Sequence, residues 1–226
     1  MDDLEKKSAC NTFDWGCLPY AKALTLQQDW VSQRLKGDRT DSLVLTEHEP
    51  VYTLGRRPKA EQHLIWDSKM LESQGIAVEH STRGGDITYH GPGQIVGYPI
   101  IGLENSRDVH AYVRKLEEVL IRSLAHFDLQ AERREGKTGV WLEKRKIAAI
   151  GIAVKRWVTY HGFALNVNNS LEPFSGILPC GITDGTVTSM RAECGVAFDL
   201  GRVKNILAME FWKLFGHQDN CENKDI

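Results

Sequence analysis

Residues 139–166 read G-V-W-L-E-K-R-K-I-A-A-I-G-I-A-V-K-R-W-V-T-Y-H-G-F-A-L-N. Three apolar runs, near 139–143, 147–154 and 157–166, are separated by the short charged segments E-K-R-K and K-R-W. Runs of β-branched, aromatic and small apolar residues joined by tight polar turns predict neighbouring strands, not strands divided by helices. Further strand signals lie at 42–46, 51–54, 76–82, 86–90, 94–101 and 129–134. Helical periodicity marks 19–36 (Tyr20, Leu24, Val31 and Leu35 on one face), 108–127 with Asp108 as its cap, 199–215 ending at Gly216, and a short helix near 67–74. Strands and helices do not alternate strictly. The expected class is α+β, a mixed and largely antiparallel sheet flanked by helices, not a doubly wound parallel sheet.

The bulk numbers bound the rest. The chain has 226 residues, 42% hydrophobic and 26% charged, with a net charge of −2. That suits one globular domain spanning 1–226, with 1–11 and 217–226 expected as loose polar tails. No overall basic field points to nucleic acid. The strongest apolar run, 147–154, is far too short to span a bilayer, and residues 1–10 carry no signal-peptide core. The expected setting is cytoplasmic. Five cysteines, at 10, 17, 180, 194 and 221, form no C-x-x-C pair. Neither a zinc site nor a disulfide scaffold is expected, and a reducing compartment is the natural one.

Three stretches carry chemistry. Residues 81–94 read S-T-R-G-G-D-I-T-Y-H-G-P-G-Q, dense in glycine and different from the nucleotide fingerprints. Two readings fit: a loop that lays bare backbone against a ligand, or a glycine-rich hairpin whose His90 is structural. Lys146 opens an apolar strand. Such a lysine commonly sits on a solvated turn; folded inward, desolvation would lower its pKa and let it exchange protons near neutrality. Cys180, between Pro179 and Gly181 in L-P-C-G-I, lies in a segment unsuited to helix or central strand. A lone cysteine is commonly buried and inert; beside a cation it becomes a strong nucleophile. His161 fits a proton shuttle, an orienter or a core histidine. Cys194 reads as structural, and Cys10 and Cys221 fall in the tails.

Together these stretches resemble the lipoyl(octanoyl) transferase family of the lipoate–biotin protein ligase superfamily. The parts occur in the family's order between about residues 43 and 190: R-G-G-D-I-T-Y-H-G-P-G-Q, T-G-V-W-L-E-K-R-K-I-A-A-I-G, H-G-F-A-L-N-V-N, L-P-C-G-I and T-S-M, with Cys180 lying 34 positions after Lys146. The resemblance implies the fold of the lipoate/biotin ligase catalytic domain and a Cys180–Lys146 dyad. It also implies an acyl pocket lined by Arg83, Gly84, Gly85, Asp86, Ile87, Thr88, Tyr89, His90, Ala149, Ile150, Gly151, Gly162, Phe163 and Ala164. No cofactor or metal is implied. The implied donor is octanoyl-acyl carrier protein. The implied acceptors are lipoyl domains of 2-oxo acid dehydrogenases and the glycine cleavage H protein. Arg56, Arg57, Arg133, Arg134, Lys144 and Arg145 are expected either to face an acidic carrier or to be plain solvated loops. Two alternatives stand beside this reading: an ATP-dependent lipoate or biotin ligase, and a non-catalytic acyl-binding protein.

Overall fold

A computed structural model describes residues 11–178 and 185–216. The chain begins with β1 (Thr12–Leu18), α1 (Tyr20–Lys36), β2 (Ser42–His48) and β3 (Val51–Leu54), then a 3-10 turn at Ala60–His63. Next come α2 (Ser68–Ser73), β4 (Ala77–His80), β5 (Thr88–His90), β6 (Gln94–Ile100) and α3 (Val109–Ala125). The remaining elements are β7 (Glu132–Arg134), β8 (Lys137–Leu142), β9 (Arg145–Lys155), β10 (Val158–Asn166), a 3-10 turn at Glu172–Gly176, β11 (Thr186–Val187), α4 (Met190–Cys194) and α5 (Leu200–Phe215).

An eight-stranded sheet runs in the order β1-β2-β6-β10-β9-β8-β7, with β11 paired to β9. Its pairs are antiparallel except β1–β2 and β9–β11. A three-stranded sheet, β4-β3-β5, lies beside it. The expected α+β class and the antiparallel run of 139–166 are both present. All four anticipated helices form within two residues of the expected ends, and Asp108 caps α3 through a bond from the Ala111 amide.

Strand alternation decides where the core sits. On β2, Leu43 and Leu45 face α3 and α5 while Val44 faces α1. On β10, Phe163 and Leu165 join the first side and Ala164 the second. Helix α3 contributes Tyr112, Leu116, Leu120 and Leu124, and α5 contributes Val203, Leu207 and Phe211. A separate small core, Tyr52, Tyr89, Phe174 and Ile177, sits under the three-stranded sheet. Among the described residues, no helix is long and apolar enough to cross a membrane.

Three elements were not expected from sequence: β1 and the short β11 and α4. The anticipated tails fall, apart from Asn11, on residues 1–10 and 217–226, outside the described residues.

Candidate functional site

A cavity of about 680 Å³ lies between the large sheet and the glycine-rich segment. Its floor is the middle of the β9–β10 ladder. There Ala149 pairs with Ala164, Ile150 with Phe163 and Gly151 with Gly162. Alanine and glycine at four of these six facing positions keep the floor low. Arg83, Gly84, Gly85, Asp86, Ile87, Thr88 and His90 form a wall. Tyr89 does not line the cavity. It alternates to the other side of β5 and packs edge-on against Tyr52 and Phe174. Gly162 lines the cavity for a different reason from space: a Cβ there would stand 2.2 Å from the Gly97 carbonyl oxygen.

The R-G-G segment lies backbone to backbone on its neighbours. The Gly84 amide donates to the Ile152 carbonyl at 2.8 Å, and a Cβ on Gly151 would meet the Gly84 carbonyl oxygen at 2.8 Å. The loop glycines therefore serve close packing on β9 as well as the cavity wall. Asp86, fully buried in its side chain, contacts His63 Nδ1 at 2.6 Å and Arg57 Nη1 at 3.4 Å. It anchors the loop to the 3-10 turn.

Lys146 is half-buried at one end of the cavity. The β8–β9 register sets its direction. Val140 pairs with Ala148 and Trp141 with Lys146, so Ile147 is an extra residue on β9. Such a bulge bends its strand and re-aims the side chain beside it. The Lys146 Nζ sits 5.2 Å from the Trp141 ring centre. On the opposite edge, β11 runs parallel to β9, with Val187 opposite Lys146 and the Thr188 amide donating to the Lys146 carbonyl at 2.9 Å. Cys180 lies outside the described residues. Of those flanking its segment, the Leu178 amide donates to His63 O at 2.8 Å and the Thr186 amide to Lys144 O at 3.2 Å.

The other end of the cavity is polar and neutral apart from Arg83. Arg83 Nη2 donates to Thr53 O at 2.6 Å and to Thr53 Oγ1 at 2.8 Å, and Nη1 donates to Gly84 O at 3.1 Å. With its lone pairs engaged by the guanidinium, the Thr53 hydroxyl is left to donate to His90 Nε2 at 3.3 Å. The remaining His90 nitrogen, Nδ1, then donates to Gln94 Oε1 at 2.7 Å. Gln94 Nε2 in turn donates to Tyr89 O at 3.1 Å and Asn166 Oδ1 at 2.9 Å, which fixes the amide's orientation. The donor sequence leaves one tautomer for His90, neutral with a proton on Nδ1.

Burial, then the nearby His48 and Arg83, drives the pKa of His90 well below the ordinary value. Burial pushes His48 down to about 4, and burial together with Arg83 pushes His161 down to about 3. His161 lines the cavity in a left-handed backbone conformation (φ 54°), its Nε2 bonded to Thr82 Oγ1 at 2.9 Å.

Among the basic residues singled out in the sequence, Arg133 is bound to Glu117 and Glu118 and Arg145 to Glu193 and Glu143. Arg134 lies over Trp141, and Arg57 is half-exposed at the cavity. Arg56 and Lys144 are exposed. Cys194, read from the sequence as structural, is a free, exposed thiol at the end of α4. The α4 helix is too short to bury that position.

Sequence reasoning passed over Thr53, Gln94, Asn166 and Thr188. Gln94 ends the 81–94 stretch and Asn166 lies inside H-G-F-A-L-N-V-N, and those positions were the available signal.

The α+β architecture is the fold of lipoate protein ligases. A structure from the lipoylation system of Thermoplasma acidophilum, described as a bipartite lipoate protein ligase and its E2 lipoyl domain, superposes with a TM-score of 0.75 at 19% identity, over 96% of this chain and 87% of that one. The chain belongs to the family of the lipoyl protein ligase A/B catalytic domain, whose model matches residues 19–212. Within it, an octanoyltransferase of Solibacter usitatus is 48% identical over 201 residues, 88% of this chain and 90% of its own. An octanoyltransferase of Gloeobacter violaceus is 45% identical over 215 residues, 94% of this chain and 92% of its own. At that similarity the chain is an acyltransferase.

Proposed function

We propose that the chain, acting as one cytoplasmic catalytic domain, moves an octanoyl group from octanoyl-acyl carrier protein to a lysine of lipoyl domains through a thioester on Cys180. The acceptors are the lipoyl domains of 2-oxo acid dehydrogenases and the glycine cleavage H protein. The observation that carries this reading is the setting of Lys146: half-buried at an apolar cavity, with the residue seven positions after Cys180 paired beside it.

In the first step Lys146, as ammonium, stabilises the Cys180 thiolate. The thiolate attacks the donor thioester carbonyl, and the carrier's thiolate leaves with the Lys146 proton. In the second step the neutral Lys146 amine takes a proton from the acceptor amine as that nitrogen attacks the acyl-enzyme. The Cys180 thiolate leaves, and the ammonium is restored. Thioester exchange is close to isoenergetic and amide formation is downhill, so neither step calls for ATP.

The acyl chain lies over Ala149, Ile150, Gly151, Phe163 and Ala164 against the wall from Arg83 to His90. His161 orients and does not take up a second proton, because burial and Arg83 hold its pKa at about 3 and the imidazole stays neutral near pH 7. Arg56 and Lys144, both exposed, are the cations that meet an acidic carrier, since Arg133 and Arg145 are held in ion pairs with glutamates and Arg57 contacts Asp86.

Intact-mass measurement after mixing with octanoyl-carrier protein tests the reading. The expected gain is about 126 Da, octanoyl replacing hydrogen, on Cys180 and absent in Cys180→Ala. An absolute requirement for ATP would overturn it in favour of a ligase. Non-covalent binding with no adduct would overturn it in favour of an acyl-binding protein.

A further inference from the structure

We infer that Asn166 is a positioning residue, which holds the strand following the nucleophile segment against Lys146. This rests on the transferase reading above. Strand β11 is two residues long and meets β9 only at Arg145 and Lys146. So short a parallel pairing is weak without further ties.

The ties come from buried side chains. Asn166, at the end of β10, donates from Nδ2 to the Thr188 carbonyl at 2.9 Å. The Thr188 amide donates to the Lys146 carbonyl, also at 2.9 Å. On its outer side the Thr188 hydroxyl donates to Glu193 Oε1 at 2.6 Å, and Glu193 is paired with Arg145.

The Asn166 amide has one usable orientation. Its Oδ1 accepts from Gln94 Nε2 at 2.9 Å and from Asn169 Nδ2 at 3.2 Å, so Nδ2 is the end that faces Thr188. Gln94 is oriented in turn by His90 and by the Tyr89 carbonyl. One hydrogen-bonded chain therefore links Arg83, Thr53, His90, Gln94, Asn166 and Thr188 to the backbone of Lys146. It passes through the 81–94 and 161–168 stretches and ends where the lysine meets the strand following residue 185. A change at Asn166 displaces that strand relative to Lys146 without altering the apolar surface that holds the acyl chain.

Asn166→Ser, which is neutral and adds no charge near the thiol, tests the role. Three readouts apply to wild type and variant: single-turnover acylation of Cys180 from octanoyl-carrier protein, the pH profile of Cys180 alkylation, and hydrogen exchange at the Thr188 amide. In the variant, acylation is expected to slow roughly 10- to 100-fold, as misplacement of reacting groups by about 1 Å does. The donor's apparent Kd should stay within about two-fold, since the loss is not in uniform binding. The alkylation profile should move to higher pH as the thiolate loses its cation. Thr188 exchange should accelerate. Should Asn166→Ser fail to melt cooperatively, Asn166→Asp keeps the side-chain shape, lacks the donor and carries the same expectation for rate and exchange.

Wild-type rates and an unmoved profile in the variant overturn the positioning role alone. A weakened Kd with an intact rate assigns Asn166 to binding instead and also overturns it. Wild type that takes no octanoyl on Cys180 overturns the transferase reading, and the Asn166 role with it.

Discussion

A Cβ placed on Gly139 would stand 2.6 Å from Cε of Lys146 and 2.7 Å from the carbonyl oxygen of Ala148. Gly139 also has φ +122°, a conformation that side-chain-bearing residues rarely adopt. The lysine stem crosses β8 at the one position where nothing projects. Gly139→Ala is expected to cost about 2–5 kcal/mol from strain and overpacking. It should also slow acyl transfer at least about ten-fold by displacing the ammonium. Chemical denaturation and single-turnover acylation measure the two effects. A variant as stable and as fast as wild type would show that the stem does not need this passage.

The pH dependence of stability follows from the buried histidines. His48 titrates at about 4 and His161 at about 3 in the folded protein, against 6.5 when unfolded. Between those values the unfolded chain binds the proton and the folded one does not, so stability falls as pH drops through 6.5. The loss is about 2 kcal/mol per histidine between pH 7 and pH 5. It levels off near pH 4 for His48 and near pH 3 for His161. Glu118 and Glu210, held below 4.5 by basic partners, and Glu193, held below it by the Thr188 hydroxyl and Arg145, weaken the fold only under more acid conditions. Urea titrations at pH 7 and pH 5 check this, and equal stabilities at the two would contradict burial of neutral imidazoles.

Much of the frame was legible because periodicity reports local burial. β2, β6 and the run from β8 to β10 read directly as alternating or continuous apolar segments, and α3 and α5 as stripes with caps. β1 escaped because it is an exposed edge: Phe13 and Trp15 reach Trp30 across it, Gly16 breaks it with φ +64°, and just Leu18 is buried. β11 and α4 are too short for any period to register. The polar network escaped for a different reason. Gln94 meets Asn166 across 72 positions, and Thr53 meets His90 across 37. Neither residue type advertises such a partner locally. Lys146 and thirteen of the fourteen pocket residues named from the ordered motifs line the cavity, whereas Tyr89 shows its true side only through the alternation of β5.

Arg83→Lys keeps the charge and is expected to fail. The guanidinium spans Thr53 O, Thr53 Oγ1 and Gly84 O together. An ammonium on a flexible stem cannot reproduce that planar fork. Loss of one charge-assisted bond of this kind costs about 1.5–3 kcal/mol. With Arg83 gone, the Thr53 hydroxyl loses the donors that turn its proton toward His90. Thermal melting should show the loss, and the Nδ1 proton resonance of His90 should broaden or shift. An unchanged melting temperature and an unchanged resonance would place the fork outside the network.

Ala149 and Ala164 face each other across the β9–β10 ladder on the cavity floor, and this pair is expected to limit the acyl length that the cavity accepts. Each buried methylene contributes about 0.8 kcal/mol, close to a four-fold effect, so octanoyl should be preferred to hexanoyl by at most about fifteen-fold. Ala149→Val adds two methyl carbons where the chain lies and fills part of that volume. The larger side chain should slow octanoyl transfer more than hexanoyl transfer and flatten or reverse the preference. It should leave Cys180 alkylation by a small reagent unchanged, because the floor is separate from the lysine. Competition between hexanoyl and octanoyl donors, read by intact mass, measures the ratio directly. A valine variant that retains the wild-type ratio would locate the length limit elsewhere, at the polar end where Arg83 and His161 close the cavity.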